Sequence, residues 1–123
     1  MAKILFVDDD IMALELMGKS ASLLGYSPIL CDSGLGSLEL LKNYSPDIIF
    51  VDHSLNDIDG ITLIKKMRLL KHLNDVSIVM LSAGHGFIDA EKAVKAGADK
   101  YLQKPLSLDL LAETIHAYVR VQQ

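Results

Sequence analysis

Short apolar runs alternate along the chain with longer segments in which apolar residues recur every three or four positions. Each run has the length of a buried β-strand, and the five runs are KILFV (3–7), PILC (28–31), DIIFV (47–51), VSIVML (76–81) and KYLQ (100–103). The longer segments have the spacing of amphipathic helices. This alternation predicts an α/β fold, in which a mostly parallel sheet has helices on both faces and right-handed crossovers.

The helical segments carry start and stop signals of their own. The first is bounded by Asp10, a suitable N-cap, and by Gly25, a residue type that often ends helices. Asp59 has the position of a cap for the third helix, which follows Gly60. The remaining helices are expected at about Ser33–Tyr44, at about Phe87–Ala96 and from Ser107 onwards.

The composition of the runs indicates where each strand lies in the sheet. Three runs, ILFV, IIFV and SIVML, are apolar throughout and suit fully buried central strands. Pro28 opens the second run, and the polar residues Lys100 and Gln103 break the fifth. Both are features of edge strands. Strands 1, 3 and 4 inside, with 2 and 5 outside, give a doubly wound five-stranded parallel sheet of order 2-1-3-4-5.

Length, charge and cysteine content narrow the class of protein. The 123 residues are half apolar, which suits a single domain over residues 1–123 with its own core. The net charge of −4 and the scattered basic residues argue against direct binding to nucleic acid or to a membrane surface. No run is long enough to span a membrane, and the N-terminus lacks the pattern of a signal peptide. A cytoplasmic protein fits best, and its one cysteine, Cys31, allows no internal disulfide.

The residues with the most distinctive chemistry lie at strand ends. They are Asp8 and Asp9 after strand 1, Asp52 after strand 3, Ser82 after strand 4 and Lys104 after strand 5. Because the carboxyl ends of parallel strands lie at one edge of the sheet, these side chains should converge. Each is a common loop residue by itself, but the arrival of all five at one edge is hard to assign to chance.

The charges of these side chains indicate what such a site binds. Two carboxylates about 4 to 5 Å apart repel by roughly 3 to 4 kcal/mol at an effective dielectric constant near 20. Three of them favour a bound cation, and ligands that are all oxygen select a hard ion such as Mg²⁺. Lys104 would then face an incoming anion. A metal ion, a lysine and a carboxylate nucleophile are together the groups that a phosphoryl-transfer site requires.

With these residues the chain resembles the receiver domains of two-component response regulators, including the chemotaxis receivers. The resemblance covers the whole chain and is carried by Asp8-Asp9 after strand 1, Asp52 in VDHSLNDIDG, Ser82-Ala83 in MLSAG and Lys104-Pro105 in ADKYLQKP. It implies the flavodoxin-like (βα)5 fold. It also implies a phosphoacceptor signalling domain rather than an enzyme that acts on other molecules.

The resemblance implies a role for each site residue. Asp52 would be the phosphoacceptor, and Tyr101 a switch residue that turns inward behind the displaced hydroxyl of Ser82. The peptide bond between Lys104 and Pro105 would be cis. The implied ligands of Mg²⁺, for which Mn²⁺ can substitute, are Asp8, Asp9, Asp52 and the backbone carbonyl of Ser54. The implied contacts of the phosphoryl group are Lys104, Ser82 and Ala83.

The resemblance also implies the partners. The phosphoryl donor would be a phosphohistidine on a sensor histidine kinase or on a histidine phosphotransfer protein. Phosphorylation would shift an existing two-state equilibrium. The surface formed by helix 4, strand 5 and helix 5 would then signal to a downstream effector or to a fused output domain. No direct contact with nucleic acid or a membrane is implied.

The chain departs from the common receiver pattern in two places. Asn56 stands four residues after Asp52, where many receivers have proline, so we expect a less constrained loop. Ser82 replaces the commoner threonine, which keeps the hydroxyl but removes a methyl group. In addition, Ser54 and Gly84 are both small, which predicts that dephosphorylation by water is not sterically blocked.

Two other functions fit part of the pattern. Asp8-x-Asp10 after a first strand also fits haloacid-dehalogenase-type phosphatases, in which Asp8 would be the nucleophile and Asp10 the general acid. That family would want threonine or valine in place of Met12 and an acidic motif after its lysine, whereas Lys104 comes last. The other function is a receiver-like interaction module without phosphorylation, but such modules lack the acids that are present here.

Overall fold

The computed structural model of the chain describes residues 1–84 and 87–119. Within them strands and helices alternate as the sequence predicts, with one added 3₁₀ turn at Lys71–Leu73. The strands are β1 (Lys3–Val7), β2 (Ser27–Cys31), β3 (Ile48–Asp52), β4 (Ser77–Ser82) and β5 (Lys100–Gln103). The helices are α1 (Ile11–Leu23), α2 (Gly34–Leu41), α3 (Gly60–Arg68), α4 (Phe87–Ala96) and α5 (Leu108–Val119). Among these helices, none is both long enough and apolar enough to cross a membrane.

The described strands pair in parallel in the order β2-β1-β3-β4-β5, which confirms the order that the apolar runs predict. The two strands with polar or proline residues, β2 and β5, are the edges. The register sets Asp52 opposite Leu81 and Ser82 opposite Gln103, so β3, β4 and β5 end at nearly the same level. The carboxyl ends of the strands therefore form one continuous edge.

Side chains of the three central strands alternate between two apolar layers. One layer packs against α2, α3 and α4 and includes Leu5, Ile49 and Ile78. The other packs against α1 and α5 and contains Phe6 and Phe50, whose stacked rings have centroids 5.2 Å apart. Burial of both faces explains why these strands appear in the sequence as unbroken apolar runs. It also gives the ends of β1 and β3 a firmly packed base.

The predicted N-caps of α1 and α3 are confirmed. Asp10 accepts hydrogen bonds from the backbone N–H groups of Met12 (3.0 Å) and Ala13 (3.3 Å). Asp59 accepts one from the N–H of Thr62 (3.3 Å). Both carboxylates satisfy backbone donors that have no partner inside the helix, and both oppose the positive end of the helix dipole.

The second helix ends before Tyr44, its predicted end, and local contacts mark the ends of both α2 and α3. α2 ends at Leu41, and Nε2 of His72 lies 2.6 Å from the Leu41 carbonyl oxygen, one of the acceptors that a helix end leaves without an intrahelical partner. α3 ends at Arg68 because the N–H of Leu70 bonds to the carbonyl of Met67, three residues back (3.0 Å). A bond of that span tightens the last turn and ends the α-helical geometry.

Arg68 joins three segments at the amino edge of the sheet, opposite the acidic residues. Its guanidinium donates hydrogen bonds to the carbonyls of Leu73 (2.8 Å), Val76 (2.9 Å) and Gly97 (2.9 Å), and it pairs with Asp99 (3.0 Å). Gly97 has a φ of 124°, and a Cβ there would lie 2.5 Å from Cγ of Arg68. One side chain thus connects the ends of α3 and α4 to the start of β4.

We expect Arg68→Met to lower the free energy of unfolding by about 2 to 4 kcal/mol, because three carbonyls lose a charged donor. The measurement is the midpoint of urea denaturation. Lys65→Met is the control, since Lys65 is exposed on the same helix and should change stability by less than about 0.5 kcal/mol. Equal midpoints for the two variants would show that the Arg68 contacts contribute nothing.

Candidate functional site

Three carboxylates meet at the carboxyl edge of the sheet, as the strand ends predict. Asp8 follows β1 directly, Asp9 is next to it, and Asp52 is the last residue of β3. One carboxylate oxygen from each of the three lies within 4.8 Å of the others. Since β1 and β3 are neighbours in the sheet, the strand pairing itself brings these acids together.

Asp8 is the most deeply placed of the three acids and is completely buried. Its Oδ1 accepts a hydrogen bond from the backbone N–H of Asp10 (2.9 Å). Its Oδ2 accepts one from Nζ of Lys104 (2.8 Å), which crosses from the end of β5. Both oxygens are therefore engaged, as a buried charge requires.

Asp52 is only 7% exposed and also faces Lys104, whose Nζ lies 3.4 Å from its Oδ1. Burial raises the pKa of the Asp52 carboxyl above its ordinary value, and the charge of Asp8 raises it further. Lys104 and the backbone N–H of Ser54, which donates to Asp52, oppose this rise in pKa. The carboxylate of Asp52 is thus crowded by negative charge and only partly compensated.

Lys104 supplies a positive charge that partly offsets the charge of the acids. Burial by itself lowers the pKa of this ammonium group, but the hydrogen bond to Asp8 and the charges of Asp52 and Asp8 outweigh it, and the pKa is raised. The backbone N–H of Lys104 bonds to the carbonyl of Ser82 (2.7 Å), which ties the end of β5 to β4. The following peptide bond, to Pro105, is cis, the isomer that the resemblance implies.

The remaining residues singled out in the sequence lie around β4 and β5. Ser82 is the buried last residue of β4, and its hydroxyl accepts a hydrogen bond from the N–H of Gly84 (3.0 Å). Ala83 is exposed. Tyr101 lies half-buried on β5, and its enclosed hydroxyl has no hydrogen-bond partner among the described residues. The two small residues Ser54 and Gly84 are exposed, and their effect on dephosphorylation stays a prediction.

The loop between β3 and α3 lies close to the acids. A Cβ at Gly60 would lie 2.7 Å from the carbonyl oxygen of Asp52, so only glycine lets α3 begin this close to the strand end. The side chain of Asp57 accepts hydrogen bonds from the backbone N–H groups of Gly34 (3.1 Å) and Leu35 (2.8 Å) at the start of α2. The sequence did not predict the contact between Asp57 and α2. Gly34 and Leu35 lie 23 and 22 positions from Asp57 in the chain, and no local motif joins them.

The donor atoms that converge here suit a hard cation. Three carboxylates supply oxygen only, and Cys31 is not among the residues of the cluster. Lys104 shows that the site already accepts one positive charge between Asp8 and Asp52. This acidic cluster could hold a metal ion, which would relieve the repulsion that Lys104 offsets only in part.

Comparison with known proteins agrees with the geometry. The family model described as the response regulator receiver domain matches residues 4–116. Response regulator MprA of Mycobacterium sp. (strain KMS) is 33% identical over 118 residues, which are 96% of this chain and 50% of that protein. The chain therefore spans about half the length of this relative.

Solved structures show the same fold over the full length. The chain is similar to a two-component response regulator from Clostridium difficile, with a TM-score of 0.92, 28% identity, and coverage of 100% of this chain and 99% of that one. It is also similar to the receiver domain of the Francisella response regulator 1452, with a TM-score of 0.91, 26% identity and complete coverage of both chains. The chain belongs to the family of response regulator receiver domains.

Proposed function

We propose that this receiver domain accepts a phosphoryl group on Asp52 in a reaction that requires Mg²⁺. The observation that carries the proposal is the placement of Asp52, a nearly buried carboxylate that faces a lysine and two further acids at the open edge of the sheet. The donor is a phosphohistidine on a sensor histidine kinase or on a histidine phosphotransfer protein. The resemblance supports this choice of donor.

In this reaction a carboxylate oxygen of Asp52 attacks phosphorus. The oxygen–phosphorus bond forms while the phosphorus–nitrogen bond to the donor histidine breaks, and the bonding electrons leave with the imidazole nitrogen. Attack requires the ionised form of Asp52, which burial disfavours and which Lys104 and the Ser54 N–H favour. Catalysis of such a transfer is largely a matter of positioning and charge neutralisation.

The metal site would be formed by Asp8, Asp9, Asp52 and the backbone carbonyl of Ser54. All of these ligands offer oxygen, which suits Mg²⁺ and allows Mn²⁺ as a substitute. When bound, the ion neutralises negative charge on the phosphoryl oxygens. Asp8 is held in a fixed orientation by the N–H of Asp10, so one ligand is preorganised.

The response to phosphorylation would involve Ser82, Ala83, Lys104 and Tyr101. The phosphoryl group adds nearly two negative charges, which attract the ammonium group of Lys104 and the hydroxyl of Ser82. The enclosed hydroxyl of Tyr101 has no partner among residues 1–84 and 87–119. This supports a second arrangement on this side of the sheet, since an unsatisfied buried hydroxyl is costly. The surface of α4, β5 and α5 would transmit the change.

We further propose that residues 1–123 act as a single receiver domain in the cytoplasm. The partner at the output surface is a downstream effector or a fused output domain. The length of the MprA relative, twice the matched region, supports a fused domain as one form of this partner. Contact with nucleic acid would belong to the output partner, because the net charge of this chain is −4.

The phosphatase alternative would use Asp8 as its nucleophile. The two oxygens of Asp8 are already bonded to Asp10 and Lys104, and the side chain is wholly buried, whereas Asp52 is slightly exposed. Asp52 is therefore the better-placed nucleophile. A receiver-like interaction module would take up no phosphoryl group, which distinguishes it from the proposal.

Acetyl phosphate with Mg²⁺ should add one phosphoryl group to the wild type and none to Asp52→Ala, because the acceptor oxygen is lost. Intact-mass spectrometry measures the adduct. Asp59→Asn, in the same loop but at the cap of α3, should keep it. An adduct that persists in Asp52→Ala would place the nucleophile elsewhere, and no adduct in the wild type would favour the interaction module.

Mg²⁺ should raise the melting temperature of the wild type, because it binds only the folded arrangement of the acids. Asp9→Asn should remove most of this rise, and without Mg²⁺ it should melt no lower than the wild type, since one repulsive charge is gone. Differential scanning fluorimetry in Mg²⁺ and in EDTA measures both effects. The control is Asp32→Asn, an exposed acid beyond β2. An undiminished rise in Asp9→Asn would exclude Asp9 as a ligand.

Lys104→Met should lower the free energy of unfolding in EDTA by about 2 to 4 kcal/mol, because buried Asp8 loses the cation paired with it. Mg²⁺ should restore more stability to this variant than it adds to the wild type, since the ion replaces the missing charge. Urea denaturation with and without Mg²⁺ gives both quantities. Lys100→Met, on the same strand and exposed, is the control. A variant as stable as the wild type in EDTA would contradict the expected role of Lys104.

A further inference from the structure

The loop between β3 and α3 is held to the start of α2 by a contact that lies outside the acidic cluster. We propose that Asp57 is a positioning residue for the cation and phosphoryl site, because it fastens this loop to α2 and thereby fixes the backbone of Ser54 beside Asp52. The inference rests on the proposed function and adds to it the residue that keeps the loop in place.

Asp57 binds the start of α2 with both of its carboxylate oxygens. Oδ2 accepts a hydrogen bond from the N–H of Leu35 (2.8 Å) and Oδ1 accepts one from the N–H of Gly34 (3.1 Å). The Leu35 N–H, followed by that of Gly34, holds the pKa of Asp57 below its ordinary value. Asp57 is therefore ionised at neutral pH, and two charge-assisted bonds anchor the middle of the loop.

Apolar side chains of the β3–α3 loop also pack against the start of α2. A Cβ added at Gly34 would overlap Cγ2 of Ile58 and would lie 3.2 Å from Cδ1 of Leu55. The loop side chains thus pack directly on the bare backbone of α2, and the carboxylate of Asp57 sits beside them, 3.3 Å from the same point. The absence of a side chain at Gly34 is what allows the loop to approach this closely.

Helix α2 has an N-cap of its own, so it does not need Asp57 as a cap. Ser33 is the N-cap of α2, and its hydroxyl accepts a hydrogen bond from the N–H of Gly36 (2.9 Å). Asp57 occupies two other N–H groups of the same turn and comes from a different part of the chain. Its contacts therefore restrain the loop as much as they complete the helix end.

The loop reaches the site through Ser54. At its start the backbone N–H of Ser54 donates to Asp52, and at its end the N–H of Gly60 bonds to the carbonyl of His53 (3.1 Å). Between these points stands Asn56, so proline does not stiffen this loop. The Asp57 anchor replaces that constraint and keeps the N–H and carbonyl of Ser54 in one orientation, which a metal site requires.

The test is a calorimetric Mg²⁺ titration of the full chain, with the initial rate of phosphorylation by acetyl phosphate as a second readout. Asp57→Asn should bind Mg²⁺ about tenfold more weakly, the lower end of the effect seen when the supporting partners of metal ligands are removed. Its phosphorylation rate should fall at low Mg²⁺ and recover at saturating Mg²⁺. Ser33→Ala, which weakens the same helix end without touching the loop, should leave the Mg²⁺ affinity unchanged.

Gly34→Ala separates positioning from charge, because it pushes the loop away from α2 and alters no charge. It should weaken Mg²⁺ binding as Asp57→Asn does. Unchanged affinity in either variant overturns the inference, and a similar loss in Ser33→Ala overturns it as well, since stability alone would then explain the effect. If the wild type itself fails to bind Mg²⁺, the proposed function falls and the inference falls with it.

Discussion

Repulsion between the acids at one edge of the sheet is the constraint on which this structure depends. Carboxylates about 4 to 5 Å apart repel by several kcal/mol in a partly buried site, and here three of them have oxygens within 4.8 Å of one another. Lys104 offsets part of that repulsion, since its ammonium group pairs with both Asp8 and Asp52. Burial of Asp8 makes the pairing necessary. Burial, followed by the charge of Asp8, keeps the pKa of Asp52 raised even though Lys104 acts to lower it.

The carboxyl and amino ends of the strands carry different arrangements of charge. At the carboxyl edge, packed central strands hold Asp8 and Asp52 in place, so the acids cannot move apart. At the amino edge, Arg68 satisfies three carbonyls and pairs with Asp99, so opposite charges there are matched. The cluster of like charges therefore lies where a cation and a phosphoryl group would bind.

The sequence is informative wherever a property is local. Apolar runs predict all five strands and their order, and caps such as Asp10 and Asp59 are identified by the residues beside them. The convergence of Asp8, Asp52 and Lys104 also follows, because parallel strands must end at one edge. The hydrogen bonds between Asp57 and α2 cannot be predicted from the sequence. They depend on how closely the β3–α3 loop approaches Gly34, and no hydrophobic periodicity encodes that distance.

Lys104 links the chemistry of the site to the part of the fold that would transmit a signal. Its ammonium group lies between two acids, while its backbone N–H bonds to Ser82 at the end of β4. In the proposed function, a phosphoryl group on Asp52 would compete with Asp8 for that ammonium group. Any movement of Lys104 would then be passed to the ends of β4 and β5. Tyr101 lies on β5, the strand that ends just before Lys104. Its enclosed hydroxyl has no partner among the described residues. The ammonium group of Lys104 stabilises the acidic cluster. Its displacement would therefore also signal that Asp52 is phosphorylated.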